Sequence, residues 1–128
     1  MENLKEYSFE TLEVFKEARI LTNKIYSITN KFPTEEKYGI TNQMRRAVIS
    51  IISNIAESSS RTSYKDKARF SEISFGSLME VLSQSLICLD QKYITNSELL
   101  ELRAMMDSLG YKLNKLKESQ LRNIIPKK

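Results

Sequence analysis

The sequence predicts an all-α protein, an up-down-up-down antiparallel four-helix bundle. Apolar residues recur at alternating spacings of three and four along four long stretches, the period of a helix with one buried side. Only three Gly and two Pro occur in 128 residues, too few for the many turns of an all-β chain. The breaks between the stretches are short, which favours antiparallel neighbours. At this length the chain is one domain, with residues 1–10 as a lead-in and 121–128 as a basic tail.

Each element follows from its own residues. Tyr7 and Phe9 are expected to order part of the lead-in. The first helix is predicted over Thr11–Asn30, with Val14, Ala18, Leu21, Ile25, Ile28 and Phe32 on one stripe. Pro33 ends it, because the residue before a proline avoids the α region. One helical turn is expected at Thr34–Lys37, and Gly39 is expected to supply left-handed or strained backbone. The second helix, Thr41–Ser58, carries Ile40, Met44, Ala47, Val48, Ile51 and Ile55 on its core side. Ser58-Ser59-Ser60 reads as a break. Ser63 caps a third helix, Tyr64–Gln91, whose apolar and small residues spread round most of its circumference. A neighbouring chain is the natural cover for such a helix. Thr95 and Glu98 form a capping box for the fourth helix, with Ile94 and Leu99 as its staple. Leu99, Leu102, Met106, Leu109, Leu113 and Leu116 then form a bundle seam, and close packing is expected at Gly110.

Composition narrows the chemistry. The sequence has no histidine and a single cysteine, Cys88. The commonest general base and metal ligand is therefore absent, and a structural zinc site lacks its donors. No Gly-rich phosphate loop is present, and no cofactor is implied. No apolar run approaches the length of a membrane span. The start, MENLKEYSFE, lacks a basic segment followed by an apolar one, so the cytoplasm is the expected compartment.

Charge is unevenly distributed. Residues 1–36, 37–70, 71–110 and 111–128 carry net charges of −2, +5, −4 and +5. In the predicted topology one end of the bundle collects Arg61, Lys65, Lys67, Arg69, Lys115, Lys117 and Arg122, joined by Lys127 and Lys128 of the tail; Glu2, Glu6, Glu10 and Glu13 share that end and partly cancel its field. Solvation and helix-dipole complementarity account for a charged end equally well. The functional reading is a surface for nucleic-acid phosphates, with Tyr64 and Phe70 near enough to stack on bases.

A second feature lies on the far side of the second helix. Gln43, Arg46, Ser50, Asn54 and Glu57 form an ordered polar file, in place of the scattered Lys and Glu of an ordinary surface helix. With Glu80 it reads as a hydrogen-bonded network that registers helices or subunits. Arg45 lies off the file and is expected to be the arginine that reaches solvent and phosphate. No nucleophile–base pair can be assembled, so the chain is expected not to be an enzyme.

These residues carry a family resemblance. Phe9, Leu12 and Phe15 lead into the first helix, and Phe32-Pro33 with Glu35-Glu36-Lys37-Tyr38-Gly39 forms the link. Gln43, Arg45-Arg46, Ser50, Asn54-Ile55-Ala56-Glu57 and Arg61 follow, then Phe70, Gly76-Ser77-Leu78 and Glu80. Over nearly its whole length the chain resembles the four-helix-bundle family encoded by intervening sequences within bacterial 23S ribosomal RNA genes. It departs from the pattern at Ile52, where Pro is usual, and at Ser58, where Gly is usual. A straighter end to the second helix is the expected consequence. The family is similar to the accessory variability protein of diversity-generating retroelements, a pentameric barrel that binds nucleic acid and reverse transcriptase. The resemblance implies a homopentamer that binds RNA or DNA through a basic surface, and it brings no catalytic residues. The alternative is a structural or adaptor protein that recruits a protein partner and has no nucleic-acid affinity.

Overall fold

In a computed structural model the chain forms four long helices, and the structure describes residues 4–124. The helices are α1 (Glu13–Thr29), α2 (Ile40–Ser60), α3 (Tyr64–Asp90) and α4 (Asn96–Arg122). A 3-10 turn at Ser8–Thr11 precedes α1, and another at Thr34–Glu36 lies in the α1–α2 link. Each helix packs on its sequence neighbours, and α1 closes the bundle against α4. This is the predicted up-down-up-down arrangement.

The predicted stripes form the core. Every apolar position named for the first stripe is buried, as are Met44, Ala47, Val48, Ile51 and Ile55 of α2. From α4, Leu99, Leu102, Met106, Leu109 and Leu113 join them. Phe9 meets Phe15 edge-on with ring centroids 4.8 Å apart, which ties the lead-in to α1. Thr95 and Glu98 make the reciprocal capping box. Gly110 is buried, and a methyl group placed on it would touch Leu78 and Phe75 at ordinary contact distance.

Two local expectations are corrected. The serine run is not a break: α2 continues to Ser60, and the chain turns at Arg61–Ser63. Serine hydroxyls interrupt helices when they compete for nearby backbone groups. Here Ser58 is buried and its hydroxyl donates instead to the Lys67 carbonyl, 2.7 Å away on α3. The left-handed residue is not Gly39, whose φ is −106°, but Lys92, with φ 63°. Lys92 and Tyr93 donate their N–H groups to the carbonyls of Leu89 and Cys88, at 3.0 and 2.8 Å. This doubly bonded turn closes the end of α3, and it requires one left-handed residue.

Along α3 the wide apolar surface is only partly covered by its own chain. Leu78, Val81 and Cys88 are buried, whereas Ile73, Leu86 and Ile87 stand exposed. Burial pushes the Cys88 thiol up to about 11, helped by the negative charge of Glu36, so it stays protonated near neutrality.

Candidate nucleic-acid interface

The antiparallel topology brings the end of α2, the start of α3 and the end of α4 to one end of the bundle. Three hydrogen bonds show the convergence. Ser58 of α2 donates to the Lys67 carbonyl of α3 at 2.7 Å. Ser71 of α3 donates to Gln120 Oε1 of α4 at 2.7 Å. Gln120 Nε2 donates back to Ser58 Oγ at 3.1 Å. Ser58, Ser71 and Gln120 are all buried. Both serine hydrogens are committed, so the cluster has one direction of donation and satisfies its buried groups.

Around this closed cluster stand the predicted cations. Arg61, Lys65, Arg69, Lys115 and Arg122 are exposed, and Lys117 is half-buried. Not all are equally available. Arg61 bonds Glu57 at 3.0 Å, and its guanidinium lies 4.6 Å from the centre of the Phe70 ring. Arg69 lies 5.2 Å from the same ring. Phe70 thus lies against two guanidinium groups. Tyr64, 44% exposed, remains open. Lys115 sits 3.7 Å from Glu118, a distance at which an exposed pair contributes little.

Lys67 has a different place from the one predicted. Its ammonium donates to the Ser59 carbonyl at 2.9 Å and reaches the Ser58 carbonyl at 3.5 Å. Those carbonyls lie in the last turn of α2, at the negative end of the helix dipole, and the Ser58 carbonyl also accepts the Arg61 N–H at 3.3 Å. Lys67 is therefore a C-terminal cap supplied from α3. The tail residues Lys127 and Lys128 lie outside the described residues.

Arg45 also departs from expectation. It is half-buried, and Arg46 is the more exposed of the two. Arg45 Nε donates to Thr29 Oγ1 and its Nη2 to Asn30 Oδ1, both at 2.9 Å. Its guanidinium also stacks 4.7 Å from the centre of Tyr26. A side chain on the α1 side of α2 meets the C-terminal turn of α1, and the cation suits that turn. Sixteen residues separate Arg45 from Arg61, or roughly 24 Å of helix, so Arg45 does not belong to the basic end.

The polar file is only partly a network within the chain. Ser50 Oγ lies 2.8 Å from Ser77 Oγ on α3. Asn54 Nδ2 donates to the Ser50 carbonyl at 2.8 Å and to Ser50 Oγ at 3.1 Å. Glu57 turns to Arg61 and Ser60 instead of Arg46. Gln43, Arg46 and Glu80 are exposed on the outer surface of α2 and α3.

The family model of the 23S rRNA-intervening sequence protein matches residues 10–115. The chain belongs to that family. The matched segment holds the polar file and most of the basic end; Lys117, Gln120 and Arg122 lie beyond it. A solved structure of a protein of unknown function from the S23 ribosomal protein family of Bacteroides thetaiotaomicron is similar in fold. It aligns with a TM-score of 0.76 at 18% identity, covering 82% of this chain and 95% of the other. No curated protein matches the sequence. Among the described residues, no helix is long and apolar enough to cross a membrane.

The buried Ser58–Ser71–Gln120 cluster is not foreseen by the sequence reading. A signal exists: Ser71 precedes Leu78 by two turns on the core stripe of α3, and Gln120 continues the Leu113–Leu116 seam of α4. Polar residues at seam positions ask for partners. Nothing in the linear pattern says that the two should meet.

Proposed function

We propose that this chain is a non-enzymatic, self-associating module of the cytoplasm that binds RNA or DNA through the phosphate backbone. The observation that supports this reading is the gathering of Arg61, Lys65, Arg69, Lys117 and Arg122 at the bundle end where three helix termini meet. A localised basic surface attracts phosphates without reading sequence, and repetition of the patch in an oligomer multiplies weak contacts. The resemblance to pentameric relatives favours a homopentamer. Gln43, Arg46 and Glu80 on the exposed surface of α2 and α3 are the residues left to meet a neighbouring copy. No catalytic constellation is assigned.

The test is fluorescence anisotropy with a labelled structured RNA and a duplex DNA, at low and at physiological salt. Binding should weaken steeply as salt rises. Changing Lys65, Arg69 and Arg122 together to Gln should reduce the slope of log affinity against log salt by about 1 for each phosphate left without its cation. Lys67 is left out of this set because it caps α2. Absence of binding at both salts overturns the reading.

A second reading is an adaptor that recruits a protein partner. Ile73, Leu86 and Ile87, exposed along α3, favour it. It predicts association with protein and no affinity for nucleic acid at physiological salt.

A further inference from the structure

Tyr64 stands between two openings in the basic end. One is a cavity of about 260 Å³ with Leu12, Ile55 and Leu116 as its apolar lining and Tyr64, Lys67, Gln120 and Asn123 among its polar residues. The other is a groove of about 380 Å³ that shares Tyr64 and Asn123 and adds Lys65. The first falls just below the roughly 300–1,000 Å³ of pockets for drug-sized ligands, a size for one flat ring system.

Its polar groups are held in place and still have capacity left. Gln120 spends one amide hydrogen on Ser58 and accepts one bond from Ser71. A carboxamide has two hydrogens and two acceptor lone pairs, so one of each remains. Asn123 Nδ2 donates to the Ser119 carbonyl at 2.7 Å, which leaves a second hydrogen and its own carbonyl oxygen. Lys67, bonded to the Ser59 and Ser58 carbonyls, retains one ammonium hydrogen. Carboxamides pair with base edges by offering a donor beside an acceptor. Here the Gln120 amide is already oriented by the buried cluster, so little side-chain freedom is lost on pairing.

We propose that this cavity takes one unpaired nucleobase of a bound nucleic acid, stacked on Tyr64 with its edge toward Gln120 and Asn123. The proposal rests on the phosphate-binding reading of the basic end, which supplies the attraction for the backbone; the cavity adds a preference for unpaired segments. Bases within a duplex have both faces and their pairing edge occupied, so they cannot enter. Lys65, in the adjoining groove, is placed for the phosphate of the inserted nucleotide.

The experiment compares a single-stranded RNA of mixed sequence with a blunt-ended RNA duplex of the same length. Affinities are measured by anisotropy for the wild-type chain, Tyr64→Leu, Tyr64→Phe and Asn123→Ala. Tyr64 is partly exposed, so its substitution leaves the core intact. Loss of one base–aromatic stack should weaken single-strand binding about tenfold in Tyr64→Leu, and Tyr64→Phe should restore it. Asn123→Ala should weaken the single strand without altering the duplex. Duplex affinity should be the same in all four proteins. Single-strand affinity within twofold of wild type in Tyr64→Leu, with salt-dependent binding retained, overturns the cavity and leaves the phosphate surface standing. Failure of the wild-type chain to bind either RNA overturns both.

Discussion

Gln120 Nε2 donates to Ser58 Oγ at 3.1 Å, which joins the last turn of α4 to the last turn of α2 across 62 residues of sequence. The bond is buried, and both partners are held by Ser71 and Lys67. The same cluster therefore seals the end of the core and orients the amide that lines the cavity beside Tyr64.

Replacing Gln120 with Leu removes the acceptor of Ser71 and the donor to Ser58 Oγ, and leaves the two hydroxyls to bond each other across 3.1 Å. Two buried hydrogen bonds give way to one, a net loss of about 0.5–1.5 kcal/mol, so Gln120→Leu should unfold at lower urea although it is the more apolar chain. Equilibrium urea unfolding, with the m-value unchanged, checks this. A variant as stable as wild type would show that the cluster contributes nothing net.

Lys92 carries the left-handed backbone that closes α3. A side chain in that region costs roughly 1–2 kcal/mol, part of which glycine gives back through its freer unfolded chain. Lys92→Gly should therefore stabilise the bundle by about 0.5–1 kcal/mol. Thermal unfolding should show a rise in Tm, and a fall would mean that the lysine side chain makes a compensating contact.

Glu17 on α1 accepts from Lys112 of α4 and, at 2.6 Å, from Ser108. Burial pushes its carboxyl up, but the hydrogen bonds from Lys112 and Ser108 and the lysine charge outweigh it and hold the group below the usual range. The contribution to stability is thus fully present above the unfolded value near 4.5 and is lost as pH falls through the lower folded value. Lys112 is raised, chiefly by the hydrogen bond to Glu17 and against the effect of burial. Its share is present below the unfolded value of 10.5 and is lost as pH rises through the higher folded value. Glu17→Gln should flatten the stability profile at the acid end, measured by urea unfolding from about pH 3 to pH 7. An unchanged profile would sink the assignment.

The chemistry of this end is legible in part from the sequence. Lys65, Arg69 and Arg122 stand where helix order and charge blocks put them, because antiparallel packing of four helices leaves little choice of end. Lys67 and Arg45 depart from expectation for a shared reason. Each cation lies beside the C-terminal turn of another helix, where oxygens compete with solvent for it: backbone carbonyls for Lys67, the side-chain oxygens of Thr29 and Asn30 for Arg45. That competition depends on which turn lies alongside, a fact no spacing along one helix contains. The serine run departs in the same way, since Ser58 finds a carbonyl on α3 in place of one on its own turn.

By itself the sequence determined the helices, their core sides and the Thr95 cap, because a helix's buried side is a matter of period and its start a matter of residues three apart. Tertiary structure alone decided that Ser58, Ser71 and Gln120 close into one cluster, that Phe70 is held by arginines while Tyr64 stays open, and that Lys92 takes the left-handed turn. The cluster rests on contacts between residues far apart in the chain, where helix rotation and axial register, and not local pattern, set which polar group finds which partner.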